Sequence, residues 1–115
     1  MKVIMLLLGG LLAASYTGTL AHAAASNPFD GTWAEVIVGE NAQCDVHVDT
    51  TFTVSAGHLS QPGSSGIVSP SGSAQGTSYA SGLSATWTGH FSGNKAVGRF
   101  KRGDGCVGRW SAVRR

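Results

Sequence analysis

Leu83-Ser84-Ala85-Thr86-Trp87-Thr88-Gly89-His90-Phe91-Ser92-Gly93-Asn94-Lys95-Ala96-Val97-Gly98-Arg99-Phe100 decides the fold class. Leu83, Ala85, Trp87, Gly89 and Phe91 fall on one face, with Ser84, Thr86, Thr88 and His90 on the other. After Gly93-Asn94, a turn pair, the alternation resumes with Ala96, Gly98 and Phe100 against Val97, Arg99 and Lys101. Period 2 with one apolar face marks a half-buried antiparallel strand, and a tight Gly-Asn joint marks a hairpin.

The pattern extends outward in both directions. Gly108, Trp110 and Ala112 alternate with Arg109, Ser111 and Val113, and Val46, Val48, Thr50, Phe52 and Val54 alternate with His47, Asp49, Thr51 and Thr53. Turn signals stand at Ala56-Gly57, Pro70-Ser71-Gly72, Ser81-Gly82 and Gly103-Asp104-Gly105. Strands are expected near 31–38, 45–55, 58–61, 65–69, 73–79, 83–92, 95–102 and 105–113. The stretch from Ser60 to Ser78 is Gly/Ser-rich, and its strands are expected to be short or absent. After residue 23 only Leu59 and Leu83 remain of the leucines, which fits all-β.

The chain has 115 residues, with eight Lys and Arg against six Asp and Glu. That bounds it to one domain. At 42% hydrophobic and 12% charged it is the opposite of a disordered chain, and the small charge excess makes a nucleic-acid partner a poor fit.

Residues 1–23 read as a signal peptide. Lys2 gives the positive start, Val3 to Ala14 the apolar run, and Ala21-His22-Ala23 the cleavage motif. The run is shorter than the roughly 20 residues of a membrane span. Export, periplasmic or secreted, is therefore expected, with no transmembrane segment after cleavage. Residues 24–30 form an N-terminal segment and 31–115 a single barrel domain.

Export makes Cys44 and Cys106 a disulfide candidate, since only one intramolecular pairing exists. A zinc site or a catalytic thiol is the competing reading. Cys44 has His47 three residues on, but Cys106 has no ligand neighbour at comparable spacing. The pairing also tests the topology. In a meander, strand direction alternates. The connection after the first strand meets the start of the last at one end only when the count is even. The cysteines thus favour a closed, up-and-down β-barrel of about eight short strands over an open sheet or sandwich.

Closure would also bring Asp30, Glu35, Glu40, Asp45 and Asp49 beside the basic run of Lys95, Arg99, Lys101, Arg102, Arg109, Arg114 and Arg115. That run is either a site for an anionic partner or, as the favoured reading, a solvated face balanced by acidic neighbours.

Phe29-Asp30-Gly31-Thr32-Trp33 at the start and Asp104-Gly105-Cys106-Val107-Gly108-Arg109-Trp110-Ser111-Ala112-Val113-Arg114 at the end resemble small exported alphaproteobacterial hypothetical proteins over the whole of residues 24–115. Gly31-Thr32-Trp33 also resembles, more loosely, the G-x-W of calycin and avidin-like barrels. That resemblance implies a Trp plugging one end against a late Arg, here Arg109 or Arg114. In size the chain resembles small bacterial β-barrel inhibitors of metalloproteases and lysozyme.

No catalytic motif stands out. G-x-S-x-G, H-E-x-x-H and the phosphate-cradling loop are absent from the sequence. His47, His58 and His90 read as scattered surface residues rather than a metal site, and Asp49 with Glu35 makes a weak carboxylate pair. No catalytic residue, metal or cofactor is expected, and the chain is read as a non-enzyme. Glu35 shares the parity of Trp33 and Ile37. It lies inside if they do, and on the surface if Ala34, Val36 and Val38 turn inward. The aromatics either fill the barrel or line a calyx at one end.

The leading expectation is an exported binding protein capturing a small apolar molecule in the barrel end, with Trp33, Glu35, Trp87, Trp110 and Arg109 as candidate ligand-binding residues. The alternatives are a protein inhibitor of an exported hydrolase, acting through loops around 39–45 and 60–76, or an envelope protein without a discrete ligand.

Overall fold

A computed structural model describes residues 26–115. The expected signal peptide lies outside the described residues. Eight strands follow in order: β1 Gly31–Gly39, β2 His47–Ser55, β3 His58–Gln61, β4 Ser64–Val68, β5 Ser73–Ala80, β6 Leu83–Ser92, β7 Lys95–Arg102 and β8 Val107–Arg114. Each pairs antiparallel with the next, and β1 pairs with β8, so the sheet closes as an up-and-down barrel. Among the described residues no helix is long and apolar enough to cross a membrane.

The parity argument holds. The β1–β2 and β7–β8 connections lie at the same end of the barrel, and Cys44 and Cys106 form a disulfide there. It straddles the β1–β8 seam, where Gly39 pairs with Gly108.

The two ends are built differently. At one, the turn Asn27–Asp30 folds across the opening. Asn27 Nδ2 donates to Val68 O (2.8 Å), and Asn27 Oδ1 accepts from Phe29 N (2.9 Å). Beneath it Trp33, Phe52 and Phe91 are buried, with Phe91 edge-on to Trp33 at 4.9 Å between centroids. Trp33 Nε1 donates to Phe29 O (3.0 Å), so its one polar atom is satisfied inside the plug. Arg114, not Arg109, lies over Trp33, its guanidinium 5.0 Å from the ring centre.

The Gly/Ser-rich middle holds the expected strands, β3 and β4 of them short, and departs only from the loop assigned to 60–76. Residues 60–76 are not one loop: the end of β3, all of β4 and the first half of β5 run through them, with the β4–β5 turn at the plugged end. Composition hid the reason. Gly66 and Gly76 pair across β4 and β5, and the Trp87 indole of β6 lies against both, where a Cβ on either would overlap the ring. The missing side chains are replaced by one large neighbour on the next strand. Trp110 lies against Gly89 and Gly98 in the same way. Two further boundaries shift: residues 45–46 and 105–106 belong to the disulfide-bearing connections rather than to β2 and β8. Val48, expected inside with Phe52 and Val54, is 43% exposed because it stands at the rim, paired with Ile37.

Candidate functional site

The far end of the barrel is hollow. Because the Trp87 and Trp110 indoles lie against glycines of the wall, they leave space along the axis instead of filling it. The cavity measures about 240 Å³ and opens between the β1–β2, β3–β4, β5–β6 and β7–β8 connections. Trp87 and Trp110 meet edge-on at 5.8 Å and form one side, and Ile37, Leu59 and Phe100 extend the apolar lining. Gln61, Ser64, Ser78 and Arg102 make a polar rim. They come from adjoining strands, with Gln61 opposite Ser64, Ser64 opposite Ser78, and Ala85 opposite Arg102.

Glu35 is the acidic group in this space. β1 turns Trp33, Glu35 and Ile37 inward, and Glu35 is 8% exposed. Its register neighbours are Thr50 on β2 and Ala112 on β8, neither of them a cation. Among the described residues its carboxylate accepts one side-chain hydrogen bond, from Gln61 Nε2 to Oε1 at 3.3 Å. Gln61 Nε2 also donates to Thr51 O at 2.9 Å, so its hold on Glu35 is shared. Burial pushes the Glu35 carboxyl above its usual range, and the long Gln61 hydrogen bond opposes this without overcoming it.

Two more polar groups matter. Trp110 Nε1 donates to Thr88 O at 3.2 Å, but Trp87 Nε1 is buried with no acceptor among the described residues. Such an orphan costs about 1–3 kcal/mol of desolvation. Arg102 donates to both carboxylate oxygens of Asp104, from Nε at 2.8 Å and from Nη2 at 2.9 Å. That hydrogen-bonded pair holds the Asp104 carboxyl down at about 2.

Of the candidate residues read from the sequence, Glu35, Trp87 and Trp110 line the cavity together. Trp33 shares their inward face but sits in the sealed plug. Arg109 stands outside, where β8 alternation puts it once Trp110 is in. Its Nη1 donates to Glu40 Oε2 (2.7 Å) while Arg99 Nη2 takes Oε1 (2.6 Å). The shared cations hold the Glu40 carboxyl low, Arg109 first and Arg99 second. Seam closure thus sets Glu40 of the acidic segment between Arg99 and Arg109 of the basic run. Asp49 faces outward opposite Val36 and stands apart from Glu35. Among the described residues no group of three His, Cys, Asp or Glu side chains is placed to hold a metal.

Sequence reasoning missed the rim. Arg102 was accessible to it, because it continues the Ala96, Gly98, Phe100 parity to the end of β7. Gln61, Ser64 and Ser78 carried no signal, since nothing distinguishes a rim serine from a turn serine before the barrel closes.

Compared with known proteins, the chain matches no family model, no curated protein and no solved structure. The functional reading therefore rests on the geometry of the hollow end.

Proposed function

We propose that the chain is an exported, non-enzymatic binding protein that captures a small, largely apolar molecule in the open end of the barrel. One observation carries the reading. A single barrel has one end sealed by an aromatic plug and the other left hollow, with Glu35, Trp87 and Trp110 facing the space. An apolar cleft with a few convergent polar groups is the usual form of a ligand site. Its volume limits the occupant. An apolar cavity of about 150 Å³ holds a benzene ring, so about 240 Å³ suits a one-ring or small two-ring compound.

The protein-inhibitor reading draws less support. Of its two loops, residues 60–76 form mostly wall, and the 40–46 connection is a loop at the open end but is tied down by the disulfide and by Asn41. Export rests on the leader read in the sequence, and the disulfide is compatible with it.

Native mass spectrometry of the protein purified from its own host tests the reading. The expected result is a small-molecule adduct that disappears under denaturing conditions, together with cleavage after Ala23. A bare mass, with no change in Trp emission when the host's small-molecule extract is added back, would count against capture. Weight would then shift to a protein partner, to be sought by pull-down.

A further inference from the structure

We propose that the occupant is a small organic cation, an ammonium or amidinium carried on an apolar or aromatic body, with its charge on Glu35 and its body against Trp87 and Trp110. The inference rests on the capture reading and names the ligand class for the same cavity.

The cavity is chemically lopsided. Its walls are indole, phenyl and aliphatic, which suit an uncharged body. Its polar groups are unequally satisfied. Arg102 is paired with Asp104 through Nε and Nη2, so its charge is already balanced before any ligand enters. Glu35 is the reverse case: 8% exposed, with one long hydrogen bond to one oxygen and none to Oε2 among the described residues. Glu35 lines the cavity alongside Trp87 and Trp110. A buried carboxylate without a cation is costly, and a ligand that brings the cation removes that cost.

The aromatics add to the same preference. A cation beside indole faces is attracted by the ring quadrupole, and the attraction grows when water is excluded. Trp87 and Trp110 meet edge-on, so a ligand between them sees rings in two orientations. Neutral ligands gain the apolar walls but leave Glu35 unpaired. Anionic ligands meet the carboxylate, and the Arg102 charge is already balanced by Asp104.

Binding a cation also requires Glu35 to ionise, so affinity should depend on pH. The groups facing Glu35 are few. Thr50, Ala112 and Gln61 do not titrate, and Arg102 with its partner Asp104 is the other charged pair at the cavity. Asp104 stays ionised well below the range in which Glu35 changes state. The pH dependence therefore belongs to Glu35. Its carboxyl is raised by burial, so the ionised form, and with it cation affinity, is lost as pH falls through that raised value.

Three probes of one shape test this: benzylammonium, benzyl alcohol and benzoate. Each is titrated into the oxidised full-length mature chain by calorimetry, with Trp emission as a second signal. Benzylammonium is expected to bind about tenfold tighter than either of the others near neutral pH. That preference should shrink to about threefold or less in Glu35→Gln and persist in Arg102→Gln. A second measurement needs no variant: in the wild-type chain benzylammonium affinity should fall as pH is lowered through the range where Glu35 takes up its proton, while benzyl alcohol affinity stays level. Equal binding of benzyl alcohol, tighter binding of benzoate, or a flat benzylammonium profile overturns the cation assignment and leaves capture standing. Failure of all three probes at millimolar concentration overturns the capture reading itself.

Discussion

Arg114 shows how much one side chain does at the sealed end. Its Nε donates to Asn94 Oδ1 (3.0 Å), Nη1 to Pro28 O (3.0 Å) and Asp30 O (2.8 Å), and Nη2 to Gly93 O (3.2 Å). The same guanidinium covers Trp33. One planar group thus ties the last strand, the β6–β7 turn and the N-terminal turn together over the plug. Asp30 answers from the other side. Burial alone would raise its carboxyl, but the backbone N–H groups of Gly57, Asn27 and Ala56, with the charge of Arg114, hold it low. Arg114→Ala should lower unfolding free energy by about 2 kcal/mol, the scale of charge-assisted hydrogen bonds at a partly buried site. Arg114→Lys should recover less than half, because a single ammonium does not reproduce a flat fork with donors on three sides. Urea denaturation followed by near-ultraviolet dichroism of the Trp33 environment measures both. Full recovery by Lys would mean that charge alone, not the fork, holds the cap.

Between strands, the unit of construction is an indole against a glycine pair. Trp87 covers Gly66 and Gly76, and Trp110 covers Gly89 and Gly98. A methyl at Gly76 would meet both the Trp87 ring and the Ser65 carbonyl, so neither the side chain nor the backbone has room to yield. Gly82 is the contrast, a turn glycine at φ 79° with open space around it. Gly76→Ala should cost about 2–3 kcal/mol by overpacking and shift Trp emission as the indole is pushed into the cavity. Gly82→Ala should cost about 1 kcal/mol, the backbone penalty alone, and leave emission unchanged. Thermal unfolding with emission spectra separates the two. An equal loss without a spectral shift in Gly76→Ala would show that the indole does not depend on the glycine. These pairs also mark what the sequence could and could not reveal. Alternation in 83–100 and 108–113 disclosed β6, β7 and β8 because large and small residues share one parity. Around Gly66 and Gly76 the inward residues have no side chains, so β4 and β5 carried little pattern of their own. Their order is supplied by a tryptophan ten or more positions away. The site divided along the same line. Glu35, Trp87 and Trp110 were visible as inward residues of patterned strands, but Glu35 only conditionally, since both faces of β1 are partly apolar. The rim at Gln61, Ser64 and Ser78 exists only once non-neighbouring turns meet at one end.

Across the whole molecule, stability and binding are assigned to opposite ends. The sealed end holds Trp33, Phe52, Phe91 and the Asn27–Asp30 cap, while the hollow end gives up core volume and carries a buried acid and an orphaned indole N–H. An end with fewer buried contacts is the one expected to open first. The disulfide lies at that end, across the seam where β1 meets β8, the one strand pair whose members are not consecutive in the chain. Asn41 adds to the same junction, donating to Gly105 O (2.9 Å) and accepting from Val107 N (3.2 Å). A cross-link spanning 62 residues restricts the unfolded chain by about 4 kcal/mol on the loop-entropy model. For a domain of this size that is a large share of a total near 5–15 kcal/mol. Replacing both cysteines with serine should therefore lower the urea midpoint sharply while leaving the aromatic plug intact in the folded fraction. Hydrogen exchange locates the effect. Protection should drop first at β1 residues 36–39 and at Val107–Arg109, beside the open end, and last at Trp33 and Phe52. Uniform loss at both ends would mean that the barrel opens as one unit and that the disulfide guards no end in particular.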